Sequence, residues 1–299
     1  MTRKKQQTIG ALLYYITLPF IYLLSVLPFP LLYGMSYLFY LVLYYVFGYR
    51  KKVVFENLSN SFPQKNEAEI KQIAKEFYHY FCDLIFESFK TLTIDKRSML
   101  QHCSIDDKSL VLFKKLAEQN QSILLVLGHK GNWEWAGNTF SLLGLHQLYV
   151  IYHPLGNEYF DSLMYKMRTR FGTRLIPMKD TFKEMVKHRN ELTATAFIAD
   201  QTPQPDNAHW MKFLNQETPV YLGTEKIATK MNRLVLFVSV ERVKRGYYVI
   251  KLDENNIMNP ADFDAGGLTE AHTKRLEEDI EQQPETWLWT HRRWKHKRN

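Results

Sequence analysis

Residues 6–49 of this chain carry no charged side chain. A helix exposed to water needs a polar face. So long an uncharged run therefore belongs in a bilayer or against a protein core. Gly10–Phe29 is about 20 residues, roughly 30 Å as a helix, which matches the hydrocarbon thickness of a membrane. Pro30 and the preceding Leu27-Pro28-Phe29 interrupt the run, and Leu31–Phe47 resumes it. Tyrosines crowd the region (Tyr14, Tyr15, Tyr22, Tyr33, Tyr37, Tyr40, Tyr44, Tyr45 and Tyr49), as at membrane interfaces. Lys4 and Lys5 precede it and Arg50, Lys51 and Lys52 follow it. The positive-inside rule keeps both flanks cytoplasmic, which predicts a hairpin, or one span with an interfacial helix. A cleaved signal peptide is disfavoured, because the run is too long and lacks a small-x-small site. The competing reading is an apolar helical pair packed on the domain itself. Residues 1–50 are thus expected to be a membrane anchor, and residues 51–299 a separate folded domain.

That second part is long enough for a full core. With 39 basic and 31 acidic residues the chain has a net charge of +8, which suits an anionic membrane, an anionic substrate or nucleic acid. Cys82 and Cys103 have neither disulfide-framework nor metal-site spacing and read as buried small hydrophobes.

Strand and helix signals alternate along the domain. Glu67–Leu92 repeats apolar residues at three- and four-residue steps and predicts an amphipathic helix. His79 and His102, in and after it, read as structural. A short helix at Ser109–Glu118 follows. Strand-like runs at Ser122–Leu127, Leu148–Tyr152, Arg174–Pro177 and Thr193–Ala199 are separated by helical ones at Glu158–Phe171 and Thr181–Lys187. Leu234–Val240 and Tyr247–Leu252 are expected to close the same sheet, as an antiparallel pair around Lys244-Arg245-Gly246. The pattern is α/β with a largely parallel sheet.

The stretch SILLVLGHKGNWEW, Ser122–Trp135, concentrates the chemistry. Its strand ends at Gly128, so His129 lies at the carboxyl edge of the sheet, where open α/β sheets bind ligands. Glu134 falls about one turn into the next segment. On one helix five residues turn by about 500°, so the two side chains converge only with His129 in the loop and Glu134 in the first turn. The expected chemistry is a neutral imidazole that takes a proton from a hydroxyl, with Glu134 fixing its tautomer. No Ser or Cys lies between them, which favours direct transfer over a covalent enzyme intermediate.

Asp200 and Gln201 follow the Thr193–Ala199 run at the same sheet edge. Arg168 and Arg170 end the Glu158–Phe171 helix, and guanidinium groups grip phosphate through two hydrogen bonds. Trp210–Gly223 reads either as the lining of an apolar groove or as a packed loop, with Thr224 as a cap for a helix from near Glu225. Leu268–Gln282 is a charged amphipathic helix. The terminal PETWLWTHRRWKHKR, Pro284–Arg298, interleaves tryptophans with basic residues, as at a membrane interface or an anionic head group. Nucleic acid is the competing partner for such a segment; the uncharged amino terminus favours lipid.

Four pieces in order, RKKVVFENLSNSFP after the apolar segment, HKGNWE after a strand, ADQ at Ala199–Gln201 and PETWLWTHRRWK near the end, carry a family likeness. The chain resembles the bacterial late acyltransferases of lipid A biosynthesis (lauroyl and myristoyl acyltransferases), within the lysophospholipid acyltransferase superfamily. The resemblance implies a glycerol-3-phosphate-acyltransferase-like mixed sheet flanked by helices. It implies a membrane anchor at the inner membrane, with the catalytic part facing the cytoplasm. The implied reaction moves an acyl chain from acyl carrier protein or acyl-CoA to a hydroxyl of a membrane lipid, with no cofactor or metal and no nucleic acid partner. Under it His129 is the general base, Glu134 its carboxylate, Arg168 a phosphate contact and Asp200 a support of the site, while Arg170 and Gln201, by their positions, are expected to bind substrate beside them. The segment at 210–220 lacks the family's Phe-Phe-Gly run, which leaves the acceptor open. Alternatives are a lysophospholipid or aminolipid acyltransferase with the same site, or a catalytically inactive lipid-binding membrane protein.

Overall fold

The polypeptide, described here from a computed structural model of residues 3–298, begins with α1 (Arg3–Val26) and α2 (Phe29–Leu41). The side chains of residues 3–9, including Lys4 and Lys5, and of Asn207 lie outside the described part. Pro28 separates the two helices, and a wider π turn, Val42–Phe47, extends α2 to Gly48 in left-handed conformation. There follow α3 (Lys51–Ser61), α4 (Glu67–Lys90), α5 (Lys96–His102), β1 (Cys103–Ile105) and α6 (Asp107–Glu118). Next come β2 (Ile123–Leu127), α7 (Trp133–Leu143), β3 (Gln147–Tyr152), α8 (Glu158–Thr169), β4 (Arg174–Pro177), α9 (Thr181–Lys187) and β5 (Thr193–Ile198). The remainder is β6 (His209–Phe213), β7 (Gln216–Val220), α10 (Gly223–Met231), β8 (Val235–Phe237), β9 (Ser239–Lys244), β10 (Tyr247–Lys251), β11 (Ile257–Met258) and α11 (Gly267–Gln282).

The main sheet has six strands in the order β11-β8-β2-β5-β3-β4, parallel except for β11. Ile123 to Val126 of β2 are buried, as an inner parallel strand covered on both faces must be. Leu127 pairs with Ile198, so the segments leaving β2 and β5 emerge side by side. The expectation that 234–252 closes this sheet is only half right. β8 joins it, but at Val238 the chain crosses into a second sheet, ordered β1-β10-β9. The antiparallel pair around Arg245-Gly246 belongs there, with β1 lying parallel to β10. Alternation of apolar residues identifies a strand but not its neighbour.

The amino-terminal helices lie along the body. α1 runs in the same direction as α8: Tyr14 packs on Tyr159 and Phe160, Ile21 clusters with Leu163 and Met167, and Lys166 Nζ donates to Tyr22 Oη at 2.9 Å. α2 lies on α4, with Ser36 Oγ donating to Asp83 Oδ1 at 2.7 Å and Tyr33 Oη to Glu87 Oε1 at 2.9 Å. Lys90 Nζ, near the end of α4, donates to the carbonyls of Ser25 (2.9 Å) and Leu27 (2.7 Å) and so clasps the α1–α2 turn. The opposite faces, with Leu12, Leu13, Ile16, Phe20 and Leu23 of α1 and Leu31, Met35 and Leu38 of α2, are exposed and apolar. Among the described residues, only Phe29–Phe47 is both long and apolar enough to cross a bilayer.

His102 is structural, sandwiched between Phe29 and Tyr247 at ring distances of 3.8 and 4.4 Å. His79 stacks on Tyr40 at 3.6 Å, and both cysteines are buried and free.

The tryptophan-rich carboxyl end departs from expectation. Trp287 and Trp289 are buried, and so is Arg293. Each indole N–H has an internal acceptor: Asp200 Oδ2 for Trp287, the Pro284 carbonyl for Trp289 and Thr218 Oγ1 for Trp294. A buried indole needs such a partner, and these rings are neither an interfacial belt nor a base-stacking platform. The segment at 209–220 is the hairpin β6–β7, turning at Leu214 and Asn215 with positive φ. α10 starts at Gly223, and Thr224 is buried without capping it.

Candidate active site

His129 and Asp200 each lie two residues beyond the last paired residues of neighbouring strands, and the register brings them together. Asp200 Oδ1 is 2.6 Å from His129 Nδ1, and Asp200 Oδ2 accepts the His129 backbone N–H at 2.7 Å. Trp287 Nε1 donates to the same Oδ2 at 2.8 Å. An ionised carboxylate only accepts, so Nδ1 carries the proton and Nε2 bears the lone pair. Burial raises the Asp200 carboxyl, but the adjacent imidazole and the three hydrogen bonds outweigh it and hold the group at about 2.

Two glycines permit this arrangement. A Cβ on Gly128 would stand 2.6 Å from a Leu276 methyl and 3.2 Å from Asp200 Oδ2. Gly131 has a φ of +60°, and its Cβ would fall 2.2 Å from the Val240 carbonyl oxygen. Only glycine fits there.

Glu134 is the second residue of α7, whose amino end is capped by Asn132 accepting from the Trp135 N–H. Its carboxylate does not orient His129. It is gripped by Arg168 of α8: Nε donates to Oε2 at 2.9 Å and Nη2 to Oε1 at 2.5 Å. The expected His129–Glu134 pairing is therefore replaced by two pairs, His129–Asp200 and Glu134–Arg168. Nearness in sequence suggested the first partner, whereas the strand register supplies the real one. Arg168 keeps Nη1 without a protein partner among the described residues. Arg170 is not in the site; its Nη1 donates to the carbonyls of Thr91 (2.7 Å) and Ile94 beyond α4. Gln201 is exposed, with its amide nitrogen 3.5 Å from His129 Nε2.

His129 and the Glu134–Arg168 pair border one open cleft of about 550 Å³, lined also by Gln201, Tyr221 and Thr224 on its polar side. Its other walls include Val150, Ile151, Leu155, Leu175, Met178, Phe197, Ile198 and Ile227. A mostly apolar cleft with a few convergent polar groups is the usual form of a small-molecule site. The hairpin β6–β7 does not line it. Among the described residues no three His, Cys, Asp or Glu side chains gather to hold a metal ion.

Sequence reasoning missed the role of Trp287 and a second buried carboxylate. Glu87 of α4 accepts from Asn132 Nδ2 at 2.8 Å, Tyr248 Oη at 2.9 Å and Tyr33 Oη, all neutral donors. Burial first, and then the nearby Asp83, push its carboxyl up to about 7 against those hydrogen bonds. An acidic residue within an otherwise amphipathic helix gave no sign of its burial.

A family model described as bacterial lipid A biosynthesis acyltransferase matches residues 2–296. A lipid A biosynthesis myristoyltransferase of Escherichia coli (strain K12) is 24% identical over 160 residues, 52% of this chain and 48% of that protein. A lipid A biosynthesis acyltransferase 1 of Shigella flexneri is 23% identical over 160 residues, with the same shares. The chain thus spans about half the length of the curated relatives it matches.

Proposed function

The chain belongs to the bacterial lipid A biosynthesis acyltransferase family, and from that premise we propose that it transfers a fatty acyl chain from a thioester to a hydroxyl of a lipid A precursor or similar glycolipid. The observation that carries the reading is His129 held by Asp200 at the mouth of an apolar cleft. In this reading Nε2 of His129 takes the proton of the acceptor hydroxyl as its oxygen attacks the thioester carbonyl. Asp200, which stays ionised, keeps the proton on Nδ1 and stabilises the imidazolium. The tetrahedral oxyanion collapses, the C–S bond breaks, and the departing thiolate takes the proton back from His129 Nε2, which restores the neutral imidazole. Arg168, fixed by Glu134, presents its remaining N–H groups to a phosphate of donor or acceptor, or to the oxyanion. The apolar walls take the acyl chain. The donor is acyl carrier protein or acyl-CoA, and no cofactor takes part.

Residues 1–50 serve in this reading as the membrane anchor and residues 51–299 as the acyl-transfer part, with a glycerol-3-phosphate-acyltransferase-like arrangement of the sheet. Because α1 and α2 pack on α8 and α4 along one face, the outer apolar faces enter the bilayer while the inner ones stay on protein. The location proposed is the inner membrane, with the cleft on the cytoplasmic side.

The test offers the purified full chain labelled acyl-carrier-protein and CoA donors, with a lipid A precursor or a lysophospholipid as acceptor. The expected result is acylation of the glycolipid and its loss by about 10² or more in His129→Ala, with the thermal midpoint retained. Turnover of the lysophospholipid alone would replace the acceptor, and undiminished transfer by His129→Ala would remove the base.

A further inference from the structure

We propose that Asn57 and Trp287 are positioning residues for His129, acting through the carboxyl-terminal segment that crosses behind the sheet edge. The inference rests on the acyl-transfer reading above. Both His129 and Asp200 stand beyond the paired residues of their strands, so the ladder no longer holds them. The segment from Thr286 supplies that hold. Gly131 N–H donates to the Thr286 carbonyl at 3.0 Å and Leu288 N–H to the His129 carbonyl at 3.1 Å, a short antiparallel bridge centred on Lys130 and Trp287. On the neighbouring segment, Thr202 Oγ1 donates to the Arg293 carbonyl at 2.8 Å. Between these ties the Trp287 indole reaches the same Asp200 oxygen that holds the His129 backbone.

This segment is itself pinned from α3. Asn57 is buried, and its Nδ2 donates to the carbonyls of Trp289 at 2.9 Å and His291 at 3.0 Å. Arg50, in left-handed conformation just before α3, donates from Nη1 to the Thr290 carbonyl at 2.8 Å. Three consecutive carbonyls are thus fixed by two side chains more than 200 residues away in sequence. Hydrogen bonds lead from α3 to the terminal segment, from its indole to Asp200, and from Asp200 to the imidazole. All four of the sequence pieces that stand out in the chain meet in this one path. A carboxylate that shifts by a fraction of an ångström misaligns the imidazole, and such errors cost rate without weakening substrate binding.

The experiment uses the full chain in detergent and two variants. Trp287→Phe removes the N–H and keeps most of the ring; Asn57→Ala leaves the ring and releases the segment. Each is expected to lower kcat by about 10- to 100-fold, with KM within about twofold. Proton NMR gives a readout independent of turnover. The short His129–Asp200 hydrogen bond should place its Nδ1 proton far downfield in the parent chain, and that resonance should move in Trp287→Phe and broaden in Asn57→Ala. If Asn57→Ala fails to fold, Trp287→Phe decides alone. Parent-like kcat together with an unchanged resonance overturns the proposal. A changed resonance in a protein whose parent chain moves no acyl group supports the positioning path and refutes the acyl-transfer reading instead.

Discussion

Asp200 and Glu87 are both enclosed carboxylates with three hydrogen-bond donors each, and burial raises both, yet they end on opposite sides of the ordinary carboxylate range. Asp200 sits at about 2 and Glu87 at about 7. Asp200 faces an imidazole that can carry positive charge and accepts a backbone N–H beside it. Glu87 accepts from two phenols and an amide, and lies near the like charge of Asp83. The donor count is equal, so the sign follows from the charge of the partners. The edge of the sheet keeps a permanent anion, whereas the interior junction of α2, α4 and α7 holds a group that gains its proton near neutrality. Their pH windows are opposite too. The stabilisation from Asp200 is present above the ordinary carboxylate range and is lost as pH falls towards 2. Stability is full below the ordinary value of 4.5 for Glu87 and is lost as pH rises through about 7.

The strongest way to break the contrast is Asp200→Asn. Oδ2 accepts two N–H groups, so the amide oxygen must take that place and the NH2 group faces Nδ1 of His129. The imidazole proton then moves to Nε2 and the ring can no longer accept one there. Acyl transfer should fall by about 10³- to 10⁴-fold with the fold retained, as circular dichroism and initial rates will show. Next in size is Glu87→Gln. A shift from 4.5 to about 7 corresponds to about 3 kcal/mol lost across that range. In denaturant titrations from pH 5 to 8 the parent chain should lose that much relative to the variant, against a rise common to both from His272 and His291, which burial holds neutral, and the variant becomes the more stable of the two at pH 8. Equal slopes would mean that Glu87 is ionised throughout. Glu134→Gln tests a third carboxylate, the one held by the guanidinium of Arg168. Loss of the two-point grip on Arg168 should lower kcat/KM by about 10- to 100-fold, and Arg168→Lys should reproduce it. The smallest change is Tyr33→Phe. It removes one donor that holds Glu87 down, so the midpoint of the pH-dependent loss should move upward, with about 1 kcal/mol of stability lost at low pH.

The parallel strands, the position of His129 at a sheet edge and the edge position of Asp200 were legible, because apolar runs end there in glycine and acid. The pairing between them was not. It depends on β2 and β5 lying next to each other in one register, a long-range fact that local periodicity does not carry. Glu134 seemed the natural partner because it is near in sequence, but as the second residue of α7 it meets the guanidinium of α8. The terminal tryptophans misled for a related reason. Interleaved aromatic and basic residues describe a wet interface when all are exposed, and here the indole N–H groups of Trp287, Trp289 and Trp294 turn to internal acceptors. The uncharged amino-terminal stretch is legible as helical and apolar. Its one-sided packing depends on Tyr33, Ser36 and Tyr22 finding partners on α4 and α8, which no composition reveals.

The ties from Thr286, Leu288 and Arg293 to the loops beyond β2 and β5 come from a segment that follows every strand of the main sheet in the chain. Until that segment has been made, Asp200 lacks its indole and the His129 loop lacks its bridge. The earlier helices have by then long emerged. A nascent chain, or one cut short before Thr286, therefore exposes its apolar helices before it owns a finished cleft.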